Sequence, residues 1–226
     1  MRQAYFVTGT DTDVGKTWVT LGLISAFQTA GLTVNGMKPV ASGCQRTDWG
    51  LRNSDALALQ AASFGAIDYS FINPYAYEPA IAPHIAAQQA KNPIQFRQIK
   101  KNFEKLTRVA ECTIVEGVGG WRVPLGEDGD VAALAEFLNL PVILVVGLKL
   151  GCINHALLSI ESIERTGVKL VGWVGNLAQN EFVCLRENIE TLTSSIEVPC
   201  LGIIPHLKNP VPNLIAAHLD IGQIAF

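Results

Sequence analysis

The sequence predicts an α/β fold in three layers, a parallel sheet with helices on both faces. Three observations carry that prediction. Short runs rich in β-branched residues alternate with longer helical patterns. The runs are apolar at successive positions rather than at every second one, as in strands buried on both faces. The first run also leads through a glycine-bearing loop straight into a helix pattern.

Ala4–Thr8 reads as the first strand, and Lys16–Ala30 as a buried helix with Gly31 at the position of a C-terminal cap. Val34–Lys38 is a second short strand and Ser54–Ala62 a helix. Asn92-Pro93 predicts an N-cap followed by proline at the first helical position. Beyond it Ile94, Ile99, Phe103 and Leu106 mark an amphipathic face. Cys112–Glu116 is a β-branched strand, and Asp130 caps a helix through Phe137. Val142–Val146 has the strongest strand character in the chain. Asn154–Thr166 is helical and ends at Gly167, with Asn154 a candidate N-cap. Leu170–Asn176 is a strand, Glu181–Ser194 a helix and Cys200–Ile204 a last strand. From Pro205 onward proline and asparagine predict loop.

Composition narrows the function. The chain has 226 residues, 49% of them hydrophobic and 16% charged, against about 25% charged in ordinary soluble domains. It is long enough to bury a core, and no composition shift divides it, so one domain over 1–226 is expected. The net charge of -3 gives no basic footprint for nucleic acid. The most apolar run, Leu140–Leu150, contains Pro141, Gly147 and Lys149 and is too short for a membrane span. No leader pattern precedes the first strand. The five cysteines are widely spaced with no C-x-x-C, which argues against a zinc site or a disulfide framework and for a reducing cytoplasm.

Parallel sheets bind ligands beyond the carboxyl ends of their strands. The first strand runs into Gly9-Thr10-Asp11-Thr12-Asp13-Val14-Gly15-Lys16-Thr17. A strand-to-helix loop ending Gly-Lys-Thr presents backbone N–H groups and a helix N-terminus to phosphate oxygens. Lys16 would reach the β- and γ-phosphates, and Thr17 would bind Mg²⁺. The spacing is irregular, because Thr10 stands where the usual pattern has glycine and Gly9 comes one residue early.

The second strand ends at Lys38, either a surface lysine or a second cation for a transferring phosphoryl group. Glu116, followed by Gly117-Val118-Gly119-Gly120, closes an apolar strand where such folds hold a magnesium ligand; a helix-capping acid is an equal reading. Asp55, in the first turn of a helix, would by itself be read as a dipole-complementing surface acid. The loop Gly147–Asn154 opens a helix and suits a carboxylate, or is a plain connection. The four histidines lack metal-ligand spacing, and His84 and His218 read as structural or surface residues.

Taken together these segments resemble the dethiobiotin synthase family of the P-loop NTPase superfamily. The resemblance rests on Tyr5–Thr12, Val14–Thr17, Lys38–Gly43, Leu51–Ala56, Pro83-His84, Val115–Gly117 with Gly119–Trp121, and Pro141–Ala156. It spans nearly the whole chain, and the irregular phosphate-loop spacing is itself the family's pattern. It implies a cytoplasmic, ATP- and Mg²⁺-dependent ligase of biotin biosynthesis that closes a ureido ring on 7,8-diaminononanoate with CO2. The implied catalytic residues are Lys16 and Lys38. The implied ATP site comprises Asp13, Val14, Gly15, Lys16, Thr17, Trp18, Asp55, Glu116, Gly117, Val118, Gly119, Asn176, Leu177, Pro205, His206 and Leu207.

Within that site Thr17, Asp55 and Glu116 would hold Mg²⁺. Thr12 and Ser42 would contact the diamine or its carbamate, and Gly151, Cys152 and Asn154 its carboxylate. In the family that last loop comes from the second subunit of a homodimer with shared sites. This chain departs at Leu177, where the family commonly has aspartate after the asparagine, and the segment Lys208–Pro212 does not align. Two other readings compete: a P-loop switch or partitioning ATPase, and an amidotransferase-type ligase. The first usually adds a basic or amphipathic segment, which the C-terminal residues lack. The second needs a glutamine-hydrolysing domain or free ammonia, and 226 residues leave no room for that domain.

Overall fold

The computed structural model describes residues 2–178 and 182–224. Its centre is a six-stranded sheet of β1 (Gln3–Gly9), β2 (Val34–Met37), β3 (Cys112–Glu116), β4 (Val142–Gly147), β5 (Leu170–Asn176) and β6 (Cys200–Ile204). The spatial order is β2-β3-β1-β4-β5-β6, and every pairing is parallel. Besides a single helical turn at Tyr69–Ile72, the helices are α1 (Lys16–Thr29), α2 (Ser54–Ala62), α3 (Pro83–Gln89), α4 (Phe96–Val109), α5 (Val131–Leu138), α6 (Cys152–Glu164), α7 (Leu185–Ser195) and α8 (Pro212–Ala216).

The connection from β1 to β2 runs one way across the sheet, and the later ones run the other way. Right-handed crossovers therefore put α1 on one face and α4 to α7 on the opposite face. The direction reverses at β1, which opens a crevice at its carboxyl end. Helix α1 is buried on nearly all sides, with Val19 through Phe27 inside, because α2 and α8 pack onto its outer side. The strand register aligns Val7 with Glu116, Gly9 with Val145, and Gly147 with Asn176. The chemistry-bearing residues thus emerge on one edge of the sheet.

The central strands and α2 lie where the sequence puts them, within a residue at each end. Strand β2 stops at Met37 because the Lys38 N–H turns away to Ile72 O at 2.9 Å. Asp130 caps α5 as expected, accepting from Ala133 N at 2.9 Å, and the helix continues one residue beyond Phe137.

Four expectations are corrected. Asn92 is not an N-cap: its N–H returns to Ala87 O at 3.1 Å and that of Lys91 to Gln88 O, with Lys91 at φ 49. That is the hydrogen-bond pattern closing α3, with Pro93 following as a helix stop. Helix α4 starts at Phe96 instead, whose N–H donates to Asp128 Oδ2 at 2.7 Å. Helix α6 begins at Cys152 with Gly151 as its N-cap, so Asn154 lies inside the helix.

Helix α7 begins at Leu185, after Cys184 in a left-handed conformation, and extends to Ser195; Glu181 lies outside the described residues. The segment from Pro205 is not all loop. It contains α8 and a 3₁₀ turn at Ile221–Ile224, which dock through Ser25 Oγ to Asn213 Oδ1 at 2.7 Å and Tyr5 OH to Ile224 O at 3.2 Å.

Candidate active site

The loop after β1 is shaped by a buried valine. Val14 is 2% exposed and wedges between the ends of β1 and β4. A β-carbon at Gly9 or at Gly147 would lie 2.7 Å from its methyl groups. This explains the irregular spacing: Gly9 sits one residue early because its bare backbone makes room for Val14. Asp13 and Gly15 both take left-handed conformations, at φ 58 and 86, and turn the loop into α1. The α1 N-terminus then faces the crevice, a ready anion site.

Two lysines enter the crevice almost wholly buried. Lys16 Nζ donates to Asp11 O at 2.8 Å across its own loop. Burial pushes the Lys16 ammonium down to about 8; neighbouring Lys38 adds to that, and the Glu116 carboxylate opposes it. Lys38 Nζ reaches Asp55 Oδ2 at 3.0 Å and hydrogen-bonds Glu116 Oε1. Burial works against this ammonium too, but Glu116 and Asp55 outweigh it and hold Lys38 above the ordinary lysine value. The Lys38 backbone is fixed by Asn73, whose Nδ2 donates to Lys38 O at 2.7 Å. Tyr69 OH in turn holds Asn73 Oδ1 at 3.0 Å and accepts from Asn53 N, the residue that caps α2 and so sets Asp55 in its first turn.

Glu116 is completely buried at the end of β3. Its Oε1 also accepts from Thr17 Oγ1 at 2.8 Å, while Oε2 has no hydrogen-bond partner among the described residues. Hydroxyl and carboxylate oxygens are the donors Mg²⁺ prefers, and an unpartnered buried carboxylate oxygen is one that such a cation would satisfy. Thr17, Asp55 and Glu116 therefore fit magnesium. Ser42 Oγ is likewise buried without a partner among the described residues and borders the same space.

That space is a cavity of about 910 Å³. Of the residues expected from sequence, Thr12, Asp13, Gly15, Lys16, Thr17 and Trp18 line it, with Lys38, Ser42, Asp55, Glu116, Val118 and Gly119. Asn176, Leu177, Pro205, His206 and Leu207 line it as well. Asn176 Nδ2 donates to Val14 O at 2.9 Å, so one amide hydrogen holds the loop, and His206 Nδ1 meets Ala178 O at 3.1 Å.

Two expected residues lie behind the wall rather than in it. Val14 is the wedge described above, and Gly117 packs against the Phe6 ring. Gly151, Cys152 and Asn154 do not line the cavity at all. Cys152 is buried, Gly151 and Asn154 are exposed, and Lys149 beside them pairs with Asp11 at 3.2 Å. Sequence reasoning passed over Asn73, the Asp11–Lys149 pair, and Pro210 and Ile215, which join the cavity wall from the C-terminal segment. No local pattern announces any of them, since their partners are distant in the chain.

A family model described as an AAA domain matches residues 3–213. The ATP-dependent dethiobiotin synthetase of Cellvibrio japonicus is 51% identical, over 97% of this chain and 96% of its own. That of Chromohalobacter salexigens is 51% identical over 92% of both chains, and that of Pseudomonas aeruginosa PAO1 48% over 96% of both. Among solved structures, a MinC:MinD cell division complex from Aquifex aeolicus superposes with TM-score 0.57 at 16% identity, covering 97% of this chain and 87% of that one. MinD from Pyrococcus horikoshii, complexed with Mg-ADP, gives 0.55 at 13%, over 100% and 89%. At such identities these structures speak for the P-loop fold alone.

Proposed function

The chain belongs to the ATP-dependent dethiobiotin synthetase family of ligases, and from that premise we propose that it joins CO2 to 7,8-diaminononanoate and closes the ureido ring of dethiobiotin. One amine adds to CO2 and loses a proton, giving a carbamate. A carbamate oxygen attacks the γ-phosphorus of ATP, and ADP leaves. The second amine then attacks the carbamoyl carbon, loses its proton and expels phosphate, which completes the ring.

One observation supports this reading above the rest: two buried ammonium groups converge on the strand ends beside a phosphate-binding loop. Phosphoryl transfer needs positioning and dispersed positive charge more than covalent help. Lys16 and Lys38 supply that charge, and Lys38 also holds the carbamate. The N–H groups of Asp13 to Trp18 cradle the triphosphate. Thr12 and Ser42 orient the diamine, and Asn176, Leu177, Pro205, His206 and Leu207 surround the base. Thr17, Asp55 and Glu116 would hold Mg²⁺, which when bound neutralises the phosphate oxygens. Gly151, Cys152 and Asn154 serve the partner's site in a homodimer, a reading that their place outside their own cavity favours. The widely spaced cysteines favour a reducing cytoplasm as its place of work. None of the described helices is long and apolar enough to cross a membrane.

The test is phosphate release from MgATP with and without diaminononanoate and bicarbonate, with dethiobiotin followed by mass spectrometry. Release that depends on the diamine and matches dethiobiotin one for one is expected. Release indifferent to the diamine, with no dethiobiotin, would overturn the proposal.

A further inference from the structure

We propose that Lys38 is the resident counter-ion of the Glu116–Asp55 pair, and that it leaves for the transferring group only when a divalent cation takes its place. This rests on the reading of the cavity as a magnesium–nucleotide site and adds an order of events to it.

The oxygens that fit a metal already surround one ammonium. Lys38 Nζ touches Glu116 Oε1 and lies 3.0 Å from Asp55 Oδ2, while Thr17 Oγ1 bonds that same Glu116 oxygen at 2.8 Å. Glu116 is wholly buried and the Lys38 side chain is 7% exposed, so their charges are weakly screened. Two cations in contact with Glu116 Oε1 would repel strongly there. Metal and ammonium therefore exclude each other from that oxygen. Glu116 Oε2, buried and without a partner among the described residues, marks what the ammonium leaves unsatisfied. A hard cation would satisfy it, and because Thr17 Oγ1 is bonded to Oε1, a cation that also takes that hydroxyl comes up against the ammonium.

Lys38 is built to move by its side chain alone. Its N–H is held by Ile72 O at 2.9 Å and its carbonyl by Asn73 Nδ2 at 2.7 Å, with Pro39 next in the chain. The backbone is clamped on both sides of the α-carbon, whereas the four-carbon stem and its three donors remain rotatable. An ammonium displaced from Glu116 stays in the cavity, where a phosphoryl or carbamate oxygen is the natural acceptor. With no anion present Lys38 has nowhere favourable to go, and free metal gains little by evicting it. The lysine thus makes metal binding conditional on the nucleotide, and delivers its charge to the reacting atoms only in the loaded site.

The experiment measures Mn²⁺ binding to the full chain without nucleotide, counting free Mn²⁺ by electron paramagnetic resonance. Lys38→Met removes the competing charge, and Lys38→Gln removes it while keeping donors for both carboxylates. Affinity at least about tenfold tighter than wild type in a folded variant is expected, because a like charge beside the cation is removed. Should the Met variant not fold, the Gln variant carries the comparison. Mn²⁺ affinity equal to or weaker than wild type overturns the exchange. Dethiobiotin formation by wild type is measured alongside. Its absence sinks the ligase reading and leaves the Mn²⁺ comparison standing, whereas normal synthesis with unchanged Mn²⁺ affinity sinks only the exchange.

Discussion

Asn176 and Gly15 share one small space: a β-carbon placed on Gly15 would lie 2.1 Å from Asn176 Nδ2. The same nitrogen donates to Val14 O at 2.9 Å, so the end of β5 holds the phosphate-binding loop in its left-handed turn. Gly15→Ala meets both a left-handed backbone penalty of about 1–2 kcal/mol and loss of a hydrogen bond worth about 1 kcal/mol. The melting temperature should fall by about 5–10 °C. Calorimetric ATP affinity should fall by at least about tenfold, because the N–H groups that face phosphate are re-aimed. Adding Asn176→Ala opens the space and should return part of the loss, a non-additive pair in a double-mutant cycle. Strict additivity would mean that the two residues do not share the work.

The two lysines should separate binding from turnover. Lys16→Ala and Lys38→Ala each remove a cation from the transferring group, at a cost of about 10²–10³ in kcat. Nucleotide binding persists in part, since the backbone of the loop still holds phosphate. Lys38→Ala carries a second cost, as it leaves Glu116 buried without its ion partner and destabilises the empty protein by about 3–5 kcal/mol. Activity must therefore be read where circular dichroism shows the variant folded. A wild-type rate in folded Lys38→Ala would remove this lysine from the chemistry.

The thiols make a test of burial that needs no ligand. Cys112 is pushed up to about 12 by burial at the start of β3. At pH 8 its thiolate fraction is roughly 10⁻⁴, and only the thiolate reacts. Cys44 and Cys152 are also buried, Cys200 is half-buried with its thiol raised by burial, and Cys184 is exposed. Alkylation at pH 8 followed by peptide mapping should label Cys184 first and Cys200 slowly. Cys44, Cys112 and Cys152 should react only after denaturation. Raising the pH speeds the labelling of Cys200, whose raised thiol loses its proton as pH climbs. Fast native labelling of Cys112 would contradict the sheet order that buries it.

These tests draw on features of unequal legibility in the sequence. The strands were readable because Cys112–Glu116 and Val142–Gly147 are buried on both faces, so their apolar runs are unbroken. Lys16, Thr17 and Glu116 were readable because each stands at a strand end or a helix start. Asn92-Pro93 misled because a polar residue before proline serves equally to leave one helix and to enter another. Asn154 misled because Gly151, which lacks a side chain, does the capping. Asp55 had no local signature; it matters through Lys38, which reaches it from just past β2 across 17 positions of sequence. The C-terminal helix was missed for a similar reason: Pro212 at its start looks like a breaker, and the surface that stabilises α8 belongs to α1.

The C-terminal segment is held by the sheet as well as by α1. The residues after α8 lie against β6, with Asp220 N donating to Leu201 O at 2.7 Å. A β-carbon on Gly202 would sit 1.9 Å from His218 O, a backbone atom that cannot swing aside. Gly202→Ala must therefore lift the segment off the sheet. The cost should exceed about 4 kcal/mol, and the melting temperature should fall by about 10 °C or more. Ile215 and Leu207 line the cavity, so ATP affinity should fall as well. Asn213→Ala, which removes only the bond to Ser25, should cost about 1 kcal/mol and leave ATP affinity near wild type. Differential scanning fluorimetry and calorimetry on the two variants separate docking of the whole segment from one hydrogen bond within it. Should Gly202→Ala melt like wild type, the C-terminal segment would not be held as described.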